Sequence, residues 1–449
     1  MRSRIKARVL HITPHLGGGV GRVLLAYLAG VKSREDFRHE TVCLDYANTR
    51  AKAAAREHGL VLSDNLSLDH EALLHMTSKA DIVLIHWWNH PLLYDFLVRE
   101  ALPPSRVIIW SHISGLHAPS VFTDAILGYP DLFVFTTPVS LEAPEVARLQ
   151  ERRRKNLRVI WSTGGIEHVA AVRPKPHEGF NVGYIGTVDY CKMHPDFLRM
   201  SAGVNVPGVR FIVCGGPDEK RIREESLRYG GQKKFVFTGP VDNISDYLRE
   251  FDVFGYPLAP YHYGTCEQSL CESMAAGVPP VVLANRAESR IVEDGVTGVV
   301  ARDGQSYARA VENLSRRPQW RKELARNARR EAKRRFSLDT MINGWQDVFE
   351  EALRFQKSRR RWPGGRRGKG VSPAEVFLES LGGHGGDFSD SLNARNGKDG
   401  QDAIRRIKRL AGCSGSWCAN TRGTAHHYRS FFPEDAYLEL WSRLCKPDS

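Results

Sequence analysis

The feature that most constrains the fold of this chain is a repeated alternation of short β-branched runs with helical segments. The runs are continuously hydrophobic, as strands buried on both faces are, and helical patterns such as VGRVLLAYLAGV stand between them. This alternation predicts parallel, doubly wound sheets. The predicted strands are ARVLHIT, HETVCLD, ADIVLIHWW, RVIIWSHIS, LFVFTT and RVIWSTGG, followed by FNVGYIGTV, VRFIVCGG, KFVFTGPV, FDVFGYPL, VPPVVLAN and VTGVVA.

A break in the alternation divides the chain into two similar halves. The stretch GGIEHVAAVRPKPHEG is rich in Gly and Pro, which is typical of a linker, and 449 residues are too many for one core. We therefore predict an α/β protein with a Rossmann-like domain at residues 1–165, a linker at 166–179 and a second Rossmann-like domain at 180–356. Two such halves predict a ligand cleft where the carboxyl ends of strands and the amino ends of helices meet.

The last part of the chain has a different composition. Beyond Lys357, Gly, Ser and charged residues dominate, and the run KSRRRWPGGRRGK contains no acidic residue. Such a composition predicts a basic, Gly/Ser-rich appendage at residues 357–449, of uncertain order.

The formal net charge of +13 favours anionic partners, namely nucleotide phosphates, nucleic acid or an acidic membrane surface. Much of this charge lies in RKELARNARREAKRRF and in the appendage, outside the motifs described below, so nucleic acid is the weakest of the three. For the appendage, contact with a membrane surface and a solvated tail both stay open. The chain has no apolar run of membrane-spanning length, no secretory signal, and no CxxC pair among its eight cysteines. These observations predict a cytoplasmic protein, with peripheral association at the inner membrane face as the alternative.

The first predicted strand runs into a glycine-rich turn, HITPHLGGGVGRVLL. Gly17, Gly18 and Gly19 allow backbone N–H groups to approach an anion, and the following helix places its positive end there. The spacing is not GxGxxG and no suitably placed acid follows, so a nicotinamide cofactor is disfavoured. A turn that merely requires positive φ angles is the alternative.

The most informative stretch is YGTCEQSLCESMAAGVPPVV. Thr265 and Gln268 have the spacing of a capping box, which predicts a helix that begins at Cys266 and ends at Gly277. The backbone N–H groups at its start, those of Cys266, Glu267 and Gln268, would then face an anion.

Two glutamates of this helix are candidate ligands. Glu272 lies one turn further along, on the same face as Gln268, where its carboxylate could accept hydrogen bonds from sugar or ribose hydroxyls. Glu267 has a simpler alternative, because an acid in the first turn of a helix also stabilises the helix dipole.

These motifs resemble the family 4 glycosyltransferases of GT-B fold, whose hallmark is two glutamates eight positions apart in a segment that ends AMA-x-G-x-P. GVPPVVLANRAESRIVEDGVTGVVA is similar to the continuation of that hallmark, and RFIVCGGP and KFVFTGPV resemble the strands beside the nucleotide base. FDVFGYPL resembles the strand that precedes the hallmark. The resemblance covers about Arg8 to Ala352 and is more specific in the second half.

The resemblance carries over residue by residue, with two departures. Lys192 in CKMHPDF matches the phosphate-binding lysine of the family, and Glu272 matches the second glutamate. Gly264, however, stands where the first glutamate is usual, and Thr187 stands where a phosphate-binding arginine is usual. Arginine binds phosphate through a planar fork and lysine only as a point charge, so a weaker diphosphate clamp is expected. Glu267 could supply the missing carboxylate from a position three residues later.

Two histidines end predicted strands of the first half. The resemblance implies that His112, in WSHISGLHAP, lies near the acceptor or donor sugar, and His86, in HWWNHP, is a second acceptor candidate. A histidine at the end of a strand can equally be structural.

The resemblance implies a retaining, metal-independent transferase that moves a sugar from a nucleotide-diphosphate sugar to a glycan or lipid-linked acceptor, in cell-surface polysaccharide synthesis. No cofactor beyond the nucleotide sugar is expected, since no DxD-like metal site follows a strand. The departures leave a catalytically degenerate scaffold open, and the shared fold leaves a sugar-nucleotide 2-epimerase open. The candidate catalytic residues are Lys192, Glu272, Glu267 and His112; the donor and phosphate ligands are Gly17, Gly18, Gly19, Cys266, Gln268, Lys192 and Glu272.

Overall fold

The structure is a computed structural model that describes residues 7–34, 36–262, 264–393, 398–413 and 415–445. It contains two compact units. Unit 1 consists of residues up to 160 together with those from 342 onward, and unit 2 consists of Trp161–Met341. The start of the chain at residues 1–6, and the parts of the predicted appendage at 394–397, 414 and 446–449, lie outside the described residues.

Unit 1 contains a seven-stranded sheet among its described residues, with the order β10-β9-β6-β4-β1-β2-β3 and parallel pairing throughout. Its central strands β1, β4 and β6 are almost entirely buried, which explains their continuous hydrophobicity. The seven strands of this sheet are β1 Ala7–Thr13, β2 Phe37–Cys43, β3 Val61–Ser63, β4 Ile82–Trp87, β6 Val107–Ser111, β9 Leu132–Phe135 and β10 Leu157–Val159. Three short strands lie outside it, β5 Leu102–Ser105 and the antiparallel pair β7 Leu116–His117 and β8 Ser120–Val121. The helices between them are α1 Gly18–Val31, α2 Thr49–Glu57, α3 His70–Lys79, α4 Pro91–Arg99, α5 Asp124–Gly128, α6 Pro144–Ala147 and α7 Glu151–Arg154.

Unit 2 contains a six-stranded parallel sheet in its described part, with the order β13-β12-β11-β14-β15-β16. Numbered from its own first strand, this is the order 3-2-1-4-5-6 of a Rossmann fold. The strands are β11 Phe180–Ile185, β12 Val209–Cys214, β13 Phe235–Gly239, β14 Val253–Tyr256, β15 Pro280–Leu283 and β16 Val299–Ala301. The helices are α8 Glu167–Ala170, α9 Phe197–Ala202, α10 Glu219–Ser226, α11 Ser245–Leu248, α12 Gln268–Ala276, α13 Glu288–Ile291, α14 Gly304–Arg316 and α15 Pro318–Phe336.

The twelve predicted strands all occur as strands, so the predicted α/β class with two doubly wound sheets is confirmed. The segment VSLEAPEVARLQERRRK, residues 139–155, has a pattern that predicts one helix, but the helix is broken. This segment forms a 3₁₀ turn at Pro138–Glu142, followed by α6 and α7. The break falls at Ala143, which has an extended ψ of 136°, because a residue before proline is disfavoured in the α region.

The boundaries of the units differ from the predicted domains. The segment 166–179, which was expected to be a linker, lies in unit 2, where Ile166, Val169 and Val172 are buried in the core. The short helix α8 forms within it. Its Gly and Pro residues indicate a linker, but its regularly spaced apolar side chains are buried in the core of unit 2.

The chain does not lose helical order after Lys357, contrary to our prediction of an appendage. After α16 (Leu338–Ala352), the strand β17 (Ser358–Arg360) pairs antiparallel with β5. The buried residues of the segment after Lys357 belong to the core of unit 1. The helices that follow are α17 Pro373–Leu381, α18 Gly386–Asn393, α19 Lys398–Cys413, α20 Ala425–Phe431 and α21 Ala436–Leu444.

Two kinds of contact hold this C-terminal segment in unit 1. Trp362 is buried against Tyr94, with its ring 5.6 Å away edge-on. The basic run also finds acidic partners, because Arg360 pairs with Asp131. This Gly/Ser-rich segment forms helices whose apolar residues are part of the core of unit 1.

No helix in the described ranges is long and apolar enough to cross a membrane.

Candidate functional site

In unit 2 the chain first adds strands on one side of β11 and then, from β14 onward, on its other side. The loops that follow β11 and β14 therefore leave the same edge of the sheet at adjacent positions. In doubly wound sheets such a switch point is the usual place for a ligand. Backbone hydrogen bonds tie the two loops together, from the Ala259 N–H to the Lys192 carbonyl at 2.8 Å and from the His194 N–H to the Pro257 carbonyl at 3.1 Å. The fold therefore fixes Lys192 beside the segment that leads into α12.

Lys192 and Glu267 form an ion pair at this point, with Nζ 2.8 Å from Oε2. Glu267 is the N-cap residue of α12 and is 2% exposed, while the Lys192 side chain is 15% exposed. The hydroxyl of Tyr256, at the end of β14, donates to the same Oε2 at 2.8 Å. Burial acts to raise the pKa of Glu267, but Lys192, His262 and Tyr256 outweigh it and hold the pKa below its usual range.

His262 and Glu288 extend this buried network. The Nε2 atom of His262 lies 3.0 Å from Oε1 of Glu288, and its Nδ1 lies 3.9 Å from Oε1 of Glu267. Burial acts to lower the pKa of His262, but Glu288 and then Glu267 outweigh it, so the pKa is raised. The network therefore balances two carboxylates with a lysine and a histidine that favours its charged form.

The same atoms could in principle hold a metal ion, since ligand atoms of His262, Glu267 and Glu288 lie within 4.8 Å of one another. Lys192 argues against this, because its ammonium group sits 2.8 Å from one of the carboxylate oxygens that a cation would need. The arrangement is better described as a buried ion-pair network.

Gly264 lies against this network and has no space for a side chain. A Cβ built at this position would lie 1.7 Å from Oε1 of Glu267 and 2.8 Å from Nδ1 of His262. The sequence resemblance places a glutamate at position 264 in the family. In this protein the carboxylate of Glu267 fills the volume into which a side chain at 264 would grow.

Helix α12 begins two residues later than predicted. Its first residue is Gln268 and Glu267 is its N-cap, so Cys266 lies outside the helix and the predicted Thr265–Gln268 capping box is wrong. The Gln268 side chain does not reach back to cap the helix, because it bonds instead to the segment that follows β10. The predicted end is confirmed, with Gly277 in the left-handed region at φ 77°.

Gln268 connects α12 to the start of unit 2. Its Oε1 accepts from the Gly164 N–H at 2.7 Å, and its Nε2 donates to the Gly165 carbonyl and to Oε1 of Glu272, both at 2.9 Å. Glu272 is 1% exposed, and its Oε1 also lies 3.2 Å from Nε2 of His168, which is half exposed. Within the described part of the chain both polar contacts of this carboxylate use Oε1, so Oε2 keeps its lone pairs for a ligand.

Lys192 lies at the start of α12 and Glu272 one turn further along the helix, and the two residues have different partners. Lys192 pairs with Glu267, and Glu272 pairs with Gln268 and His168. Thr187, which stands in place of the usual arginine, contributes its backbone carbonyl to the Tyr184 hydroxyl at 2.7 Å.

The three glycines of the predicted anion loop lie in unit 1. Gly17 is the N-cap of α1, and Gly18 has a φ of 60°. A Cβ at Gly18 or Gly19 would meet no atom within 4 Å, so the backbone at the start of α1 is open to approach. The required positive φ is observed, and anion binding stays a prediction.

His86 and His112 also lie in unit 1, where they belong to a chain of four histidines. The chain is linked by hydrogen bonds, with Nε2 of His112 3.1 Å from Nδ1 of His86, Nε2 of His86 3.0 Å from Nδ1 of His11, and Nε2 of His11 2.8 Å from Nδ1 of His39. His86 and His11 are fully buried. Burial lowers the pKa of His112 to about 3 and of His39 to about 4.

Part of the chain is similar to a known protein family. Residues 166–331 match the family Glycosyl transferases group 1. The match covers most of unit 2 and less than half of the chain. Lys192, Glu267 and Glu272 all lie within the matched residues.

Two known proteins are similar to part of this chain, and each match covers only part of the known protein. The 2-deoxystreptamine N-acetyl-D-glucosaminyltransferase of Streptomyces fradiae is 33% identical over 162 residues, which is 32% of this chain and 37% of that protein. The D-inositol 3-phosphate glycosyltransferase of Streptosporangium roseum is 27% identical over 169 residues, which is 34% of this chain and 38% of that protein. Each match therefore spans less than two fifths of the relative.

Over most of its length the chain is similar in fold to Anabaena HepE, crystallised with UDP and glucose. The TM-score is 0.63 at 15% identity, and the match covers 77% of this chain and 100% of that chain. Identity this low shows the fold alone, which is the predicted GT-B fold with two Rossmann-like domains.

Several residues of the site in unit 2 and of the histidine chain in unit 1 were not predicted from the sequence. His168 and His262 have no motif that distinguishes them from surface residues, whereas Glu288 lies in the segment that resembles the continuation of the family hallmark. A signal did exist for His11 and His39, because four predicted strands of the first half each carry or directly precede a histidine.

Proposed function

We propose that the protein is a glycosyltransferase that transfers a sugar from a nucleotide-diphosphate sugar to a glycan or lipid-linked acceptor. The observation that carries this proposal is the placement of Lys192 at the start of α12, at the switch point of the sheet in the part of the chain that matches Glycosyl transferases group 1. The names of both relatives support sugar transfer, and the HepE crystals contain UDP and glucose. A UDP-sugar is therefore the first donor to test.

The start of α12 supplies the proposed diphosphate site. The first N–H groups of a helix lack intrahelical partners and carry the positive end of its dipole. Lys192, held beside this helix start by its ion pair with Glu267, adds an ammonium group that can donate to the diphosphate. Both would stabilise the charge that the diphosphate takes up as the glycosidic bond breaks, which is the step where fixed charges contribute most.

Glu272 supplies the proposed contact with a sugar or ribose hydroxyl. Its carboxylate is buried and held through Oε1 by Gln268, so Oε2 is a preorganised acceptor. Gly17–Gly19 and Cys266 are proposed to contribute backbone N–H groups to the diphosphate. His112 and His86 are proposed to lie on the acceptor side.

The finer features of the reaction are also part of this proposal. Attack by the acceptor hydroxyl from the face that the diphosphate leaves would retain the anomeric configuration. The fixed charges at the start of α12 would replace a divalent ion, so we expect no metal and no further cofactor. A role in cell-surface polysaccharide synthesis, a cytoplasmic location and peripheral contact with an acidic membrane rest on the family resemblance and the net charge of +13.

A thermal-shift panel of UDP-, GDP- and ADP-sugars tests the donor site. We expect stabilisation by one nucleotide class, with about 10- to 100-fold weaker binding in Lys192→Ala, because a hydrogen bond to a charged group contributes about 1.5–3 kcal/mol. Glu272→Gln is a second variant that keeps an oxygen for Gln268 but removes the negative charge. Lys175→Ala is the matched control, since Lys175 forms an exposed ion pair with Glu250 in the same unit.

A product assay with labelled donor then separates the remaining alternatives. Label in an acceptor that persists in EDTA supports metal-independent transfer, and the anomeric configuration of the product tests retention. UDP release without a modified acceptor would favour elimination of the epimerase type. If no nucleotide sugar shifts the melting temperature of the wild type, the proposal fails and a scaffold role takes its place.

A further inference from the structure

The four histidines of unit 1 follow a regular path across its sheet. They lie on, or directly after, the adjacent strands β2, β1, β4 and β6. The strand registers place each histidine two residues closer to the carboxyl ends of the strands than the previous one. The path therefore moves along the strand direction from His39 through His11 and His86 to His112, at the edge of the sheet where β6 ends.

The hydrogen bonds of this path all have the same direction. Each link joins Nδ1 of one ring to Nε2 of the next, from His39 to His112. A neutral imidazole has one N–H group and one bare nitrogen, so each ring can donate one hydrogen bond and accept one. The neutral chain consequently has two fully bonded states, in which either all four rings carry the proton on Nε2 or all four carry it on Nδ1.

The two ends of the chain are accessible while its centre is not. His11 and His86 are fully buried, whereas His39 and His112 are partly exposed. Among the described residues, no polar group bonds to Nδ1 of His112 or to Nε2 of His39. His39 also lines a surface pocket with Asp36. One bare or protonated nitrogen is thus available at each end.

The environment opposes storage of a proton on any one of these rings. Burial lowers the pKa of all four histidines, to about 3 for His112 and about 4 for His39. A proton that arrives at one end is therefore better passed along the chain than held as a buried imidazolium.

We propose that this chain relays the proton of the acceptor hydroxyl from His112 to solvent at His39. The inference rests on the proposed transferase function and adds to it the path of the proton. In this scheme His112 is the catalytic residue, because it contacts the acceptor, and the other three histidines act through it.

The relay moves one proton for each sugar that is transferred. The acceptor oxygen forms a bond to the anomeric carbon, and the bond from that carbon to the diphosphate breaks, with its electron pair leaving on the diphosphate. The hydroxyl proton moves to Nδ1 of His112, each Nε2 proton moves to the Nδ1 of the next ring, and the Nε2 proton of His39 goes to water. The chain resets when His39 takes a proton from water and His112 releases one after the product leaves.

The first test reads the tautomers directly and needs no activity. In protein labelled with ¹⁵N-histidine, we expect nitrogen shifts showing that all four rings share one tautomer at pH 7.5. Single histidine-to-glutamine variants assign the signals. Mixed tautomers along the chain would overturn the relay, because a mixed chain breaks at least one of the three hydrogen bonds.

The second test removes the solvent end of the relay with His39→Ala. We expect turnover of acceptor to fall by roughly tenfold or more, with the KM for the donor unchanged, since assisted proton transfer contributes about 10²–10⁴ in rate. Added imidazole should restore turnover, whereas 1-methylimidazole should not, because it fills the same space but has no N–H group. His75→Ala, an exposed histidine of the same unit outside the chain, is the control.

The outcomes distinguish the relay from the function on which it rests. If the wild type transfers sugar and His39→Ala turns over equally fast, or if both imidazoles restore activity equally, the relay is wrong while the function stands. If the wild type transfers no sugar, the proposed function fails, and the tautomer measurement still decides whether the chain is ordered in one direction.

Discussion

Replacing Gly264 with alanine should destabilise unit 2, because the added methyl group has no room. The ideal Cβ lies 1.7 Å from Oε1 of Glu267 and 2.8 Å from Nδ1 of His262. The end of a glutamate side chain moves easily when it is free, but this carboxylate is held by Lys192 and Tyr256, each at 2.8 Å. The methyl group must therefore push the carboxylate away from its partners.

The size of the effect follows from the burial of this ion pair. Leaving one charge of a buried pair without its partner costs about 3–5 kcal/mol. The carboxylate can shift and keep one of its partners, so we expect the lower end, about 3 kcal/mol. In a domain of 150–250 residues this corresponds to a fall in melting temperature of roughly 6–12 °C.

Scanning calorimetry of the full chain measures this change, with Gly203→Ala as the matched control. Gly203 lies in the same unit at a φ of −68°, and a Cβ there would make ordinary contacts of 3.4 and 3.6 Å with backbone oxygens. In a Glu267→Gly background, Gly264→Ala should lower the free energy of unfolding by less than about 1 kcal/mol. Equal melting temperatures for Gly264→Ala and Gly203→Ala would refute the idea that Glu267 fills this space.

Three further changes test other parts of the structure. Gln268→Leu removes three hydrogen bonds at the start of α12 and should weaken binding of the nucleotide sugar by about tenfold in calorimetric titration, with unchanged affinity as the contrary result. Because folding raises the pKa of His262, this residue stabilises the fold fully below about pH 6.5, and the stabilisation is lost as the pH rises through the pKa of the folded state. Urea unfolding at pH 6 and pH 9 should show this loss in the wild type and not in His262→Gln. Trp362→Ala should cost unit 1 about 3–5 kcal/mol, because this ring is buried and donates to Glu379 at 2.7 Å, whereas a loose appendage would tolerate the change.

Much of the fold could be predicted because strands buried on both faces leave an unmistakable pattern. Runs such as ADIVLIHWW and RVIIWSHIS are the central strands of unit 1 for this reason. The C-terminal helices were missed because their Gly, Ser and charged residues resemble a disordered tail. The capping box of Ser372 and Glu375, and the apolar spacing that follows it, did signal α17.

The candidate site was predicted in part, and its limits have a physical cause. Sequence spacing along one helix placed Gln268 and Glu272 on the same face, as their 2.9 Å contact shows. Spacing could not show that the Gln268 side chain would bond to Gly164 rather than cap its own helix. That choice depends on a segment more than a hundred residues away, so only the tertiary structure reveals it.

The same limit applies to Lys192 and Glu267. The two residues lie in loops after different strands, and the strand order of the sheet brings the loops together. The histidine chain of unit 1 arises similarly, from the register of four strands.

The most direct measurement of the central claim is a crystal structure of the protein grown with the nucleotide sugar that stabilises it most. We expect the diphosphate within hydrogen-bonding distance of Lys192 Nζ and of the first backbone N–H groups of α12, with a hydroxyl of the ligand donating to Glu272. A nucleotide sugar bound elsewhere, with Lys192 still paired to Glu267 and not contacting the diphosphate, would contradict this placement.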